Sequence, residues 1–185
     1  MEEKTWLVDK VHSSIEFSIR HMMISTVRGK FKEFDGEIRG NPDDFSTLKA
    51  HFTIKVASID TGTADRDNHL RSDEILAMDK YPTVEYTVKK VTGSADEVKI
   101  TGDLRIKATT KEVVFKGEYG GKIKDPYGND RFGLTASATI NRGDFDVKWN
   151  MALEGGGLML GDKVNLYLQL EAYSPVAQKQ ETAPQ

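Results

Sequence analysis

The chain has 185 residues, with 26 Lys and Arg against 29 Asp and Glu for a formal net charge of −3, which is one domain's worth of sequence. Hydrophobic residues make up 38% and charged residues 30%, enough for a core and too apolar for a disordered chain, while no apolar run approaches the ~20 residues of a spanning helix, so a membrane-embedded body is not expected. Acids slightly outnumber bases, so no nucleic acid partner is expected, and the absence of cysteine excludes disulfides, thiolate nucleophiles, Fe–S clusters and Cys-ligated zinc.

Met1 to Lys10 lacks the basic start and apolar run of a secretory signal, so a cytoplasmic location is expected for the chain as given. Alternation then begins at Ile15, Phe17 and Ile19. In the next element the apolar parity shifts from Val27, Gly29, Phe31 to Phe34, Gly36, Ile38, which predicts a β-bulge at Lys32 and Glu33. Leu48, Ala50, Phe52, Ile54 and Val56 alternate with polar residues as a half-buried strand does. Thr63 to Met78 breaks the rhythm and reads as the one good helix candidate, with acids in its first turn and a stop at Tyr81-Pro82. Its apolar residues, Leu70, Ile75, Leu76 and Met78, are few, so it is expected to lie across a barrel mouth.

Alternation resumes at Val84, Tyr86, Val88; at Val98, Ile100, Gly102, Leu104, Ile106; and at Val113, Phe115, Gly117, Tyr119. It continues at Phe132, Leu134, Ala136, Ala138, Ile140 and ends at Val164, Leu166, Leu168, Leu170. The opposite face of the 131–141 run, Gly133, Thr135, Ser137, Thr139 and Asn141, is uncharged, which hints at a covered edge or a subunit contact. Gly155-Gly156-Gly157 reads as a turn or flap before the last strand. About eight short strands separated by turn clusters give an all-β sandwich or closed barrel. From Ser174 to Gln185 two prolines and a single bulky aliphatic predict a disordered tail after a domain spanning 1–173.

Gly29, Gly36, Gly102 and Gly117 share the parity of their apolar neighbours and so face inward. Strand glycine costs stability and needs a reason: either tight curvature or room for a guest. An eight-stranded barrel is the size that either fills with side chains or holds one small ligand. A greasy ligand of ~20 to 40 heavy atoms, at ~0.3 kcal/mol per atom, would bind with roughly 6 to 12 kcal/mol.

The dense polar clusters are His12, Ser13, Ser14, His21, Arg28 and, on the helix, Asp65, Arg66, Asp67, His69, Arg71. Asp65 and His69 stand at i, i+4 and could share a metal with His12 or His21; local ion pairing and helix-end electrostatics explain the same residues without one. An intermediate reading makes Arg66, His69 and an N-terminal histidine donors to a polar head group at the mouth of an apolar pocket. No nucleophile elbow or phosphate loop is present, and Arg142 could pair with a carboxylate or a ligand head group, structural pairing being the more common outcome.

The order and spacing of several strings resemble one family: Asp9-x-x-His12-Ser13-x-Ile15-x-Phe17, Arg20-His21-Met22, Val27-Arg28-Gly29-x-Phe31, Ser58-Ile59-Asp60-Thr61-Gly62, Arg66-Asp67-x-His69-Leu70-Arg71-Ser72, Lys80-Tyr81-Pro82, Thr101-Gly102-Asp103-Leu104 and Ile140-Asn141-Arg142 with Asp144-Phe145. From Trp6 to Tyr173 the chain is similar to YceI-like polyisoprenoid-binding proteins. The resemblance implies an eight-stranded antiparallel lipocalin-like barrel with a short helical cap, a bound isoprenoid or fatty chain, a homodimer, and no established catalysis. Asp146 stands where the family commonly has glycine.

The leading expectation is a lipid carrier, store or sensor with no catalytic residues, resident metal or cofactor. Phe17, Ile19, Phe31, Phe52, Ile54, Val84, Tyr86, Leu104, Phe115, Leu134 and Leu166 are expected to enclose the tail, and His21, Arg66 and His69 to meet the head. Its rivals are a metal-assisted hydrolase using His12, His21, Asp65 and His69, and a stress-related interaction scaffold.

Overall fold

The computed structural model describes residues 4–175. In chain order its elements are β1 (Thr5–Val8), β2 (Ser14–His21), β3 (Ser25–Phe31), β4 (Phe34–Asn41), β5 (Asp44–Lys55), β6 (Ile59–Asp60), α1 (Ala64–Arg71), β7 (Thr83–Ser94), β8 (Glu97–Ile106), β9 (Thr109–Lys124), β10 (Asp130–Asn141) and β11 (Leu160–Ser174). Pairing merges these segments into eight strands. β1 and β2 lie end to end along β11, β4 and β3 lie end to end along β1 and β2, and β6 follows β5 after a single 3-10 turn at Val56–Ser58. β5, β7, β8, β9, β10 and β11 follow in antiparallel order, and β11 closes on the first strand. The result is the expected eight-stranded antiparallel barrel with a short helix.

The strand breaks have side-chain causes. Between β1 and β2 the Asp9 carboxylate accepts from the backbone N–H groups of Val11 at 3.0 Å and His12 at 3.3 Å, turning the chain out of the ladder. The Ser13 hydroxyl then donates to the Glu171 carbonyl and accepts from the Glu171 N–H, standing in for the backbone bonds that β11 would otherwise lack. The predicted irregularity at Lys32 and Glu33 separates β3 from β4, and there the Lys32 N–H reaches the Ser58 carbonyl at 3.1 Å.

The inward glycines have a reason beyond both expected ones. A Cβ on Gly29 would lie 2.3 Å from the Phe17 ring, one on Gly36 2.4 Å from the Phe52 ring, and one on Gly102 2.5 Å from the Thr87 carbonyl oxygen and 2.7 Å from the Tyr86 ring. Aromatic rings on the neighbouring strand fold over these positions, so the missing side-chain volume is already taken. At Gly117 the obstacle is backbone: a Cβ there would stand 1.8 Å from the Thr135 carbonyl oxygen, which marks a close approach of β9 to β10.

The two ends differ. At one end the turns after β4, β7 and β9 gather round an aromatic plug. Trp6, 1% exposed, donates from Nε1 to the Gly40 carbonyl at 3.0 Å and meets Phe132 edge-on, while Tyr119 contacts both Phe45 and Phe132. Outside the plug, Arg131 binds Asp9, Asp125 and Glu171 at 2.7 to 2.8 Å, and Lys4 pairs with Asp130.

At the other end lie the β2–β3 turn, α1 with its following turns, and the 142–159 loop. Among the described residues no strand pairing joins β6 to β7, and α1, on the chain between them, packs against β6. The helix ends at Arg71 rather than Met78: the Ser72 N–H and hydroxyl both turn back to the His69 carbonyl, and Ala77 takes a positive φ of 49°, so the rest is a series of turns. Thr63 does not cap the helix with its side chain.

Two further expectations change. β10 lies between β9 and β11, so its uncharged outer face is not a sheet edge. Ser174 is buried and paired with Asp130 at the end of β11; the rest of the expected tail, from residue 176, lies outside the described residues. Asp146 adopts a left-handed conformation with φ 59°, one that Asp tolerates better than most residues and glycine suits best, and Lys107 holds its carbonyl at 2.9 Å. Among the described residues no helix is long and apolar enough to cross a membrane.

Candidate functional site

Above the plug the barrel encloses a cavity of about 570 Å³ whose wall is almost wholly apolar. The strands build it through their period of two, which aims every second side chain inward. All eleven positions expected to face a lipid tail line this space: Phe17, Ile19, Phe31, Phe52, Ile54, Val84, Tyr86, Leu104, Phe115, Leu134 and Leu166. The lone polar tip among them is occupied elsewhere, since the Tyr86 hydroxyl is shared between the Ile100 and Val113 carbonyls at 3.0 and 2.9 Å. Burial, and then the charges of Asp103 and Glu112, push that phenol well above its ordinary range, so it stays neutral.

His21, Arg66 and His69 also line the cavity, all at the end capped by α1. Arg66 is half committed to its own loop: Nε donates to the Thr61 hydroxyl at 2.7 Å, and Nη2 to the Thr61 carbonyl and the Thr63 hydroxyl. Its Nη1 has no partner among the described residues. His69 places Nε2 at 2.8 Å from Glu74 and its ring edge-on to Trp149, centroids 4.6 Å apart. That contact joins the helix to the 142–159 loop across the mouth. Asp65 lines the same rim, whereas Asp67 is buried and accepts from both the N–H and the hydroxyl of Thr61, fixing the start of α1.

Sequence reasoning missed Trp149 and Met159, which line the cavity together with Arg142. They sit in a loop without periodicity. Arg142 is buried and donates to the carbonyls of Gly161, Val147 and Trp149, each at 2.8 Å. One guanidinium thereby replaces the strand pairing that the loop lacks, which is the structural role expected of it. The Gly155-Gly156-Gly157 run is the tip of a small hairpin arm closed by an Ala152–Leu158 bridge.

The metal set of the hydrolase reading is not brought together. His21, opposite Leu160 on β11, belongs to the mouth with Asp65 and His69. His12 lies at the plugged end beside Glu171, and the eight residues of β2 from Ser14 to His21 that separate it from the mouth span roughly 25 Å. His12 instead pairs its Nδ1 with Asp9 at 3.1 Å. The imidazole and the carboxylates of Asp9 and Glu171 come within 4.8 Å of one another, but Arg131 already donates to both carboxylates, so the group is an ion-pair hub.

A YceI-like domain model matches residues 6–172. The chain belongs to the YceI-like family. A UPF0312 protein of Staphylococcus aureus strain N315 is 42% identical over 164 residues, covering 88% of this chain and 94% of its own length. The solved YCEI protein of Campylobacter jejuni is 32% identical with a TM-score of 0.73, over 85% of this chain and 90% of its own. Burkholderia cenocepacia BcnA matches in fold with a TM-score of 0.77 at 19% identity, over 89% of this chain and 98% of that one. A domain from Saccharophagus degradans described as polyisoprenoid binding has a TM-score of 0.68 at 14% identity, over 92% and 98% of the two chains.

Proposed function

We propose that this YceI-like protein binds a long-chain isoprenoid or another amphiphilic lipid, one per barrel, as a carrier or store and not as an enzyme. The supporting observation is the apolar cavity with His21, Arg66 and His69 gathered at its mouth. The tail would fill the cavity and the polar head would meet Nη1 of Arg66. At ~30 Å³ for each heavy atom, 570 Å³ encloses about 20 atoms, the lower end of the range expected from sequence. Those atoms contribute roughly 6 kcal/mol at ~0.3 kcal/mol each, or a Kd of tens of micromolar before the head group is counted. A longer chain would protrude from the mouth.

The test is a thermal titration of delipidated protein with isoprenoid alcohols and fatty acids of graded length. A ligand at about 100 times its Kd adds ~2.7 kcal/mol, which raises Tm by roughly 5 to 10 °C in a chain of this size. A Tm that stays constant across the whole series overturns the proposal.

A further inference from the structure

The β2–β3 turn is built from residues that suit it badly. The Ile24 N–H donates to the His21 carbonyl at 3.2 Å, and Met22 and Met23 between them have φ of 50° and 62°, the geometry for which Asn-Gly is the inexpensive choice. Methionine at both positions strains the backbone, and the turn is held from outside: Arg20 Nη2 donates to the Met23 carbonyl at 2.8 Å and the Met22 N–H to the Met159 carbonyl at 2.6 Å. These side chains gain little burial in return. Met23 and Ile24 are 67% and 80% exposed, and Met22 40%. The hairpin arm beside them adds Met151 and Leu158, also exposed, with the Met23 sulfur lying over Gly157. Strain and exposed apolar surface at one place point to function.

We propose that these two loops, Met22–Ile24 and the 151–158 arm, dip into the surface of a phospholipid bilayer and set the cavity mouth against it. The position supports this occupant: the patch is continuous with His21, Met159 and Leu160, which line the cavity, so a lipid would pass from bilayer to barrel without crossing water. Its extent, on the order of a few hundred Å², falls short of the ~800 Å² per partner of a stable protein interface, which argues against a second copy. The exposed patch residues, Met22, Met23, Ile24, Met151 and Leu158, are all uncharged, so attachment rests on apolar insertion and needs no anionic lipid. The inference rests on the lipid-binding reading above.

The experiment is flotation with phosphatidylcholine vesicles at low and high salt, comparing the wild-type chain with a triple variant, Met22→Asn, Met23→Gly and Ile24→Ser. Asn-Gly suits the turn, so the variant is expected to melt at or above the wild-type temperature. Wild-type protein should float at both salt concentrations, and the variant's vesicle-bound fraction should fall at least about tenfold. In vesicle-free buffer both delipidated proteins should bind a fluorescent fatty acid with equal affinity, which separates failure of this inference from failure of the cavity's function. Wild-type protein that stays unbound, a variant that floats equally well, or a wild-type dimer that the variant converts to monomer overturns the proposal.

Discussion

Ala50 offers a way to fill the barrel without touching its mouth. It lies at mid-height on β5, opposite Ile38 on one side and Val88 on the other, and lines the cavity. Ala50→Phe adds about six heavy atoms, roughly 180 Å³ at ~30 Å³ each, about a third of the 570 Å³ available. Because the ring enters empty space, the substitution should stabilise the lipid-free barrel by ~1.5 to 3 kcal/mol, the usual return on burying a phenylalanine, and raise Tm by about 3 to 12 °C. The same ring displaces about six ligand atoms, costing ~2 kcal/mol of binding, or roughly thirtyfold in Kd. Differential scanning calorimetry of delipidated protein and a fluorescent fatty-acid titration read the two effects. A lower Tm with unchanged affinity would show that the interior is already full and refute the reasoning.

Gly117→Ala places its methyl against the Thr135 carbonyl, which cannot yield without parting β9 and β10, and should cost at least about 1 to 3 kcal/mol in chemical denaturation. Gly29→Ala meets the tip of the Phe17 ring, which can swing into the cavity, so it should lose lipid affinity with a smaller loss of stability. Arg66→Gln should weaken lipids with an anionic head about tenfold and leave a headless hydrocarbon unaffected, measured by competitive displacement. For Asp9, burial opposes ionisation, but hydrogen bonds from Arg131 and His12 outweigh it and hold the pKa at about 2; Lys4 and Lys124 hold Asp130 at about 2. Both folded values lie below the ordinary 3.8, so this stabilisation is present above pH ~4 and is lost as pH falls toward ~2. Arg131→Met should therefore lower stability at neutral pH and flatten that acid limb in urea melts followed by circular dichroism.

The barrel is readable in the sequence because burial on one face forces parity, and a one-residue slip would turn Phe17, Phe52 or Leu166 outward. The same parity puts all eleven apolar positions on the cavity wall. What parity does not carry is register. The rings of Phe17, Phe52 and Tyr86 fill the space over Gly29, Gly36 and Gly102 from neighbouring strands, so those glycines look like vacancies when one strand is read at a time. Trp149 and Met159 escape because a loop held by one guanidinium has no period. The grouping of His12 with His21 is an error of scale: the eight residues of β2 from Ser14 to His21 hold them apart by roughly 25 Å. Read from sequence, α1 runs too long because Leu76 and Met78 fit a helix, whereas Ser72 ends it by taking the His69 carbonyl.

Native mass spectrometry of freshly purified protein tests the central claim most directly. The expected result is a chain mass carrying one noncovalent lipid of at least about 20 heavy atoms, lost in Ala50→Phe. A bare chain mass under conditions gentle enough to keep a known lipid carrier loaded, with no hydrocarbon extractable from the same preparation, would contradict it.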